Sequence, residues 1–298
     1  MTTESASVAT PFGLAREPNR RLETVKTILK ARLAGVAAAI ILLVLLVALF
    51  APILAPYDPA KINVPHRLEG PSTTHLMGTD QNGRDILSRV VYGSRVSVQV
   101  GVVAVAIALL VGVPLGLVAG YVGGVVDEAL MRIMDAVIAF PAIILALVIV
   151  AALGSGVTNV MLAVGIVGTP VFARLVRAQT LSLRELDYVL AARTVGATAP
   201  RILLRHIWPN ATAPIIVQAS LAAGGAIIAE ASLSFLGIGV VPPTPTWGGM
   251  LQDGFRIIYL SPWLAVFPGI AIYLVVLSLN FLGDAVRDAL DPRLRGTR

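Results

Sequence analysis

The chain has no cysteine in 298 residues, which excludes disulfides, thiolate nucleophiles and Cys-ligated metal sites together and leaves the redox compartment open. Charge is scarce as well. Lys, Arg, Asp and Glu make up 13% of the chain, where a soluble domain carries roughly a quarter. The apolar share is 56% and the mean hydropathy +0.84, a composition suited to lipid rather than water. No G-x-x-x-x-G-K-[ST] loop is present to cradle nucleotide phosphates, so any ATP that drives this protein is hydrolysed elsewhere. The absence of H-E-x-x-H, of G-x-S-x-G and of paired aspartates inside an apolar run removes the usual intramembrane protease chemistries. Of the three histidines, His66 and His75 are too isolated for a metal site, and His206 has no second His or paired carboxylate nearby in sequence.

What is abundant is uncharged sequence in long runs, and a span needs roughly 20 apolar residues. Leu33 to Tyr57 is the first such run, preceded by a polar, basic tail at 1–32 with no apolar core or small-residue cleavage site of a signal peptide. Residues 58–95 are polar and are read as an external segment whose end, Asp85 to Arg95, has the spacing of an interfacial amphipathic helix. Val96 to Val126 is the second span, followed by a charged turn with Asp127, Glu128, Arg132 and Asp135. Ala136 to Ala173 is too long for one helix and splits at Gly154, Ser155 and Gly156, with a kink expected at Pro141. Ile207 to Ala229 is the fifth span, ended by Glu230, and Ile257 to Gly283 the sixth, before a tail at 284–298. The expected fold is thus an all-α integral membrane protein of six transmembrane helices, with a five-helix core at 96–283.

Six spans put both termini on one side, and the charge distribution says which. The side holding the termini collects 17 Lys and Arg against 11 acidic residues, the other side 6 against 6. Because basic loops are retained in the cytoplasm, both termini and the segment 183–210 are expected to be cytoplasmic.

That segment, LRELDYVLAARTVGATAPRILLRHIWPN, lies between two membrane-length runs and reads as two short amphipathic helices joined at a glycine. Tyr188, Ala191, Ala192 and Val195 recur at i, i+3, i+4 and i+7 and make one apolar stripe. Asp187 can cap the first helix, and Gly196 can end it in the left-handed conformation. Thr198 and Pro200 suit the first turn of the second, Arg201 and Arg205 share a face, and Pro209 marks the start of a new segment. Alanines at the contact face suit docking into a groove of another protein. Gly196 would then set the elbow angle, or be a plain terminator; Arg201, Arg205 and His206 would pair with acidic groups, or reflect only the cytoplasmic charge bias.

Ala191, Ala192 and Gly196, followed by Arg201, Arg205, His206, Ile207, Pro209 and Asn210, resemble the EAA loop of bacterial ABC importer permeases. The likeness is greater to the C-type permease subunit of oligopeptide, dipeptide and nickel importers. GTDQNGRDILSRVVYGSRVSV at 78–98, GYVGGVVDEALMR at 120–132, AEASLSFLGIGVVPPTPTWGGML at 229–251 and NFLGDAVRDALDPRL at 280–294 are similar to the same subfamily. Leu190 stands where the family usually has Glu, and Trp208 where Leu is commoner. The resemblance implies a type I ABC importer permease fold with cytoplasmic coupling helices, in the bacterial cytoplasmic membrane. It implies as partners a homologous B-type permease, two ABC ATPase subunits holding ATP and Mg, and an extracytoplasmic substrate-binding protein. This chain itself would bind no cofactor or nucleic acid and would not be an enzyme. The implied cargo is a di- or oligopeptide, with nickel or another small solute as the alternative. In that mechanism, closure of the ATPase dimer displaces the docking helices and rocks the spans between inward-facing and outward-facing states.

Two further groups of residues invite a role. Gly112, Gly116 and Gly120, four apart, permit close helix approach in lipid, either at a subunit or bundle interface or within this subunit. Gln99, Gln218, Glu230 and Asn280 are polar in or beside apolar runs, where polar groups are costly; they could line a path or bond between helices. DQNGRD, at Asp80 to Asp85, has the oxygen spacing of a calcium loop but has Val91 at the twelfth position, so a capped turn is the better reading. An ATP-independent secondary transporter would need more spans or repeats, and coupling carboxylates near the midplane; no acidic residue interrupts a run centrally.

Overall fold

The computed structural model describes residues 32–290. The expected tails at 1–32 and 284–298 lie largely outside them. Apart from an isolated bridge between Thr79 and Asp85, the described chain is helical and irregular. Its elements are α1 (Arg32–Leu49), α2 (Ala51–Leu54), α3 (Ile86–Val122), α4 (Gly124–Ile138), α5 (Ala142–Leu153), α6 (Val157–Leu183), α7 (Asp187–Thr194), α8 (Ala199–Ile202), α9 (Trp208–Phe235), α10 (Trp247–Arg256) and α11 (Trp263–Leu290). Four helices are long and apolar enough to cross a bilayer, five if the bent pair α4–α5 is one span; α1 is apolar but shorter. The expected count of six therefore depends on the first span, α1, whose apolar part covers Leu33–Leu49 rather than the whole run to Tyr57.

Five boundaries differ from the sequence reading, each for a local reason. The expected interfacial helix ending at Arg95 and the second span are one helix, α3, of 37 residues. At 1.5 Å per residue it rises about 55 Å, well beyond about 30 Å of hydrocarbon. Asp85 caps its start by accepting from Ser88 N at 2.7 Å, Arg89 in its first turn is buried beside the Asp80 carboxylate, and the exposed Arg95 does not break it. The charged turn at 127–135 is the helix α4, and Pro141, with no N–H to continue that helix, stops it instead of kinking it: α4 and α5 meet at 89°. Glu230 does not end the fifth span, since α9 continues to Phe235 and Glu230 is fully buried within it, its carboxylate accepting from the Ser234 hydroxyl at 2.8 Å. The external stretch that follows contains α10, started by Thr246, whose hydroxyl accepts from Gly249 N. The last helix starts at Trp263 rather than Ile257, just after Pro262, whose fixed φ suits a helix start and whose carbonyl accepts from Ala265 N and Val266 N.

The helices pack as a bundle in which α6 is flanked by α3, α4, α5 and α9, while α9 also meets α11, and α11 carries α1 and α10. The seam between α3 and α6 is where the glycines at four-residue spacing lie. A Cβ on Gly112 would stand 2.7 Å from Thr169 O, one on Gly116 2.8 Å from Val176 Cβ, and one on Gly120 2.7 Å from Thr180 Cβ. Of the two readings of this stripe, packing within the subunit is the one seen: two backbones are in contact where side chains would hold them apart.

DQNGRD is a capped turn. The Asp80 carboxylate, fully buried, accepts from Asn82 N at 2.8 Å, Arg84 N at 2.9 Å and Arg84 Nε at 2.6 Å, with Arg89 Nε at 3.6 Å. Asp253 on α10 lies 3.8 Å from Arg84, and burial pushes its carboxyl up against the downward pull of Arg89 and Arg84. This cluster, with Trp247 Nε1 donating to Val90 O at 2.9 Å, joins α10 to the start of α3. His75 is not free for a ligand on both sides: its Nδ1 pairs with Asp85 at 2.9 Å and its ring lies 4.9 Å from that of Tyr57.

Candidate functional site

The segment 183–210 folds as an elbow at the end of the bundle where α3, α6 and α9 meet. α7 begins at Asp187, so the expected cap residue is inside the first turn, where its charge complements the helix dipole, and Leu186 occupies the cap position without a side-chain bond. α7 ends in a paired closure: Gly196 N donates to Arg193 O and Ala197 N to Ala192 O, both at 3.0 Å. This 5→2 and 6→1 pattern requires a left-handed residue after the helix, and Gly196 has φ +82°.

The second arm is not a separate helix. α8 starts after Thr198 with Pro200 in its first turn, then widens into a π turn over Leu203–Ile207 and runs straight into α9. Pro209 supplies the reason, since its ring cannot donate to the carbonyl four residues back and crowds it. The irregular ladder leaves the His206 carbonyl open to side chains. It accepts from Asn210 Nδ2 at 2.7 Å and from Tyr188 Oη at 3.3 Å, and Asn210 Nδ2 also reaches Tyr188 Oη at 3.3 Å. Tyr188 thereby holds α7 against the arm that leads into α9.

The apolar stripe expected at Tyr188, Ala191, Ala192 and Val195 divides between two faces. The anchor is Val189, fully buried, with Ala192 beside it, packed on Leu117, Phe172, Val176, Ile202 and Ile207 in one core cluster. Tyr188, Ala191 and Val195 face outward instead, Val195 with 83% of its surface exposed. Leu186, Leu190 and Leu204 are exposed with them. Arg201 and Arg205 flank this patch; both are exposed and have no ion pair among the described residues. His206 is half-buried, its ring 6.3 Å from Tyr188. The elbow so presents exposed apolar side chains and two free cations on a rigid frame. Sequence reasoning missed Val189 because the face was assigned to the longer repeat, although Val189, Ala192 and Arg193 also share a face at i, i+3 and i+4.

Ion pairs attach the same end of the bundle to α4. Arg177 on α6 forms two bonds to the Asp127 carboxylate, at 2.5 and 2.7 Å, and Arg174 pairs with Asp135. The four polar residues expected in or beside the spans are scattered: Gln99 and Asn280 are exposed on the isolated chain, Gln218 is half-buried and Glu230 fully buried. Gln99 and Asn280 show no bond to another described helix, so they do not staple the subunit together.

Residues 112–296 match the family described as binding-protein-dependent transport system inner membrane component, and residues 23–71 match the N-terminal TM domain of oligopeptide transport permease C. Among relatives, the dipeptide transport system permease protein DppC of Alkalihalophilus pseudofirmus is 48% identical over 92% of this chain and 90% of its own. The glutathione transport system permease protein GsiD of Pectobacterium atrosepticum is 45% identical over 97% of this chain and 93% of its own. Among solved structures, a chain of the MetNI methionine ABC transporter in inward facing conformations aligns with TM-score 0.55 and 19% identity, over 69% of this chain and 98% of that one, a likeness of fold. This multi-pass helical chain therefore belongs to the binding-protein-dependent transport system inner membrane components, and within them to the oligopeptide permease C-like ABC importer permeases.

Proposed function

We propose that this chain is one of two permease subunits of a peptide importer, with both termini and the elbow in the cytoplasm and with ATP hydrolysed by two partner ATPases. The observation that carries the reading is the elbow itself. An exposed apolar patch at Leu186, Tyr188, Leu190, Val195 and Leu204, bordered by Arg201 and Arg205, is held rigidly on a helix pair whose inner face is buried. Exposed apolar groups on a rigid frame that is otherwise polar suit a protein partner better than water. The dipeptide and glutathione permeases among the relatives support peptides as cargo. Gly196 sets the angle between the arms, and Tyr188 and Pro209 join them to α9, so a displacement of the patch is delivered to the spans. Gln99 and Asn280, exposed on the isolated chain, would face the second permease or the translocation path rather than lipid.

The lack of cysteine makes orientation directly testable, because a single introduced thiol has no background. A Val195→Cys variant, with 83% of the native side chain exposed, is expected to resist a membrane-impermeant maleimide in intact cells and to react in inside-out vesicles. Co-assembled ATPase subunits should protect it. Labelling from outside, or reactivity indifferent to the ATPases, would refute the placement. In proteoliposomes of the complete transporter, ATP-dependent uptake of labelled dipeptide or glutathione, and not of nickel, is the expected result.

A further inference from the structure

The elbow is chained in sequence to α6 and α9, yet its polar contacts reach a third span. We propose that Tyr121, in the last turn of α3, is a positioning residue for transport, the point at which displacement of the elbow is passed to α3. The inference rests on the reading of the elbow as the ATPase-facing element. Two arginines of the elbow close on the end of α3. The Arg193 guanidinium lies over the Tyr121 ring, 5.2 Å from its centroid, and Arg184 Nη1 donates to Gly120 O at 2.7 Å. Gly120 O is among the last carbonyls of α3, which lack helical partners and bear the negative end of the helix dipole, so both cations are favourably placed. Beneath them Tyr121, Leu117, Val189 and Ala192 belong to one apolar cluster.

Directly along α3 from this contact, Gly120, Gly116 and Gly112 hold the helix against α6 at backbone distance. A pull applied at Tyr121 is therefore resisted along about two turns, and α3 and α6 move as one body. Arg177 and Asp127 add the first turn of α4 to that body. Without the Tyr121 contact, elbow motion would reach α3 only through the Arg184 bond to Gly120 O and the apolar packing on Leu117.

A mere helix-capping role predicts that the ring is dispensable, since the Gly120 carbonyl and the dipole do not need it. A cation over an aromatic face does need it, and neither requires the hydroxyl. In proteoliposomes holding the complete transporter, Tyr121→Leu and Arg193→Gln should each lower substrate taken up per ATP hydrolysed by about two- to fivefold, the range of a cation–π contact at a half-exposed site. Tyr121→Phe should match wild type, and the double variant should be no worse than either single one. The latch is overturned if Tyr121→Leu leaves the ratio unchanged, if Phe is as damaging as Leu, or if the two changes add. Should Tyr121→Leu fail to accumulate, Arg193→Gln, at an exposed position, gives the same reading. Leu190→Asp with Val195→Asp, on the outer face, tests the docking reading separately by co-purification of the ATPases. If these are lost while Tyr121→Leu has no effect, only the latch falls; if they are retained, both fall.

Discussion

Gly196 offers the sharpest test of whether elbow geometry matters to transport. It has φ +82°, and no atom lies within 4 Å of the place its Cβ would take, so a side chain there meets no steric neighbour. The whole cost of substitution is backbone conformation, about 1–2 kcal/mol for an ordinary L-residue in the left-handed region. A β-branched residue pays more, whereas Asn visits that region readily. The two closing bonds from Gly196 N and Ala197 N depend on the same conformation. A cost of about 1–2 kcal/mol changes the population of the native elbow roughly 5- to 30-fold. The expected order of uptake per ATP hydrolysed is thus Gly, then Asn, then Ala, then Val, with membrane insertion and ATPase assembly kept, because no packed core is disturbed. Proteoliposome uptake measured together with phosphate release reads the ratio. A Val variant with the wild-type ratio, or an Asn variant as poor as Val, would refute the argument.

The α3–α6 seam should be far less forgiving of volume. Gly116→Val is expected to cost about 1–3 kcal/mol or more by overpacking, because its Cβ would stand 2.8 Å from Val176 Cβ and 3.0 Å from Arg177 N; Gly225→Ala, with nothing within 4 Å, should be neutral or stabilising, and thermal unfolding in detergent compares the two. Replacing Asp80 by Ala leaves the buried guanidinium groups of Arg84 and Arg89 without their shared carboxylate. A loss of about 3–5 kcal/mol is expected for a broken buried pair, seen as a lowered melting temperature or failure to accumulate, and Asp80→Ala at wild-type stability would show the cluster to be solvated. Asn210→Ala removes the 2.7 Å bond to His206 O and should weaken the elbow by about 0.5–1.5 kcal/mol, read as faster hydrogen exchange over 187–207 and unchanged exchange in α11.

Much of the architecture follows from short-range chemistry. Lipid requires backbone groups to be bonded within the segment, so uncharged runs become helices wherever they occur, and Gly154–Gly156 break the chain as expected, with φ +93° and +141° at the two glycines. Gly196 and Pro200 act through their own φ, a property of the residue rather than of its surroundings. Boundaries were less legible. Charge ends a span in a linear reading, but Arg89 continues α3 beside the buried Asp80 carboxylate and Glu230 continues α9, its carboxylate accepting from the Ser234 hydroxyl. Asp80 and Ser234 are near in sequence, but that they face these groups depends on the turn at 80–85 and on the burial of α9, which composition does not contain.

The amino-acid order by itself determined that this is a multi-span membrane helix bundle without an ATP site, and that a basic, glycine-hinged segment separates two of its spans. Periodicity and composition suffice for that, since both act over a few residues. Only the tertiary structure decided which side of α7 is buried, that the glycine stripe of α3 serves α6, and that Tyr121 lies under Arg193. Each of these depends on which helices are neighbours, and neighbour choice is settled by packing across the whole bundle rather than by any one stretch.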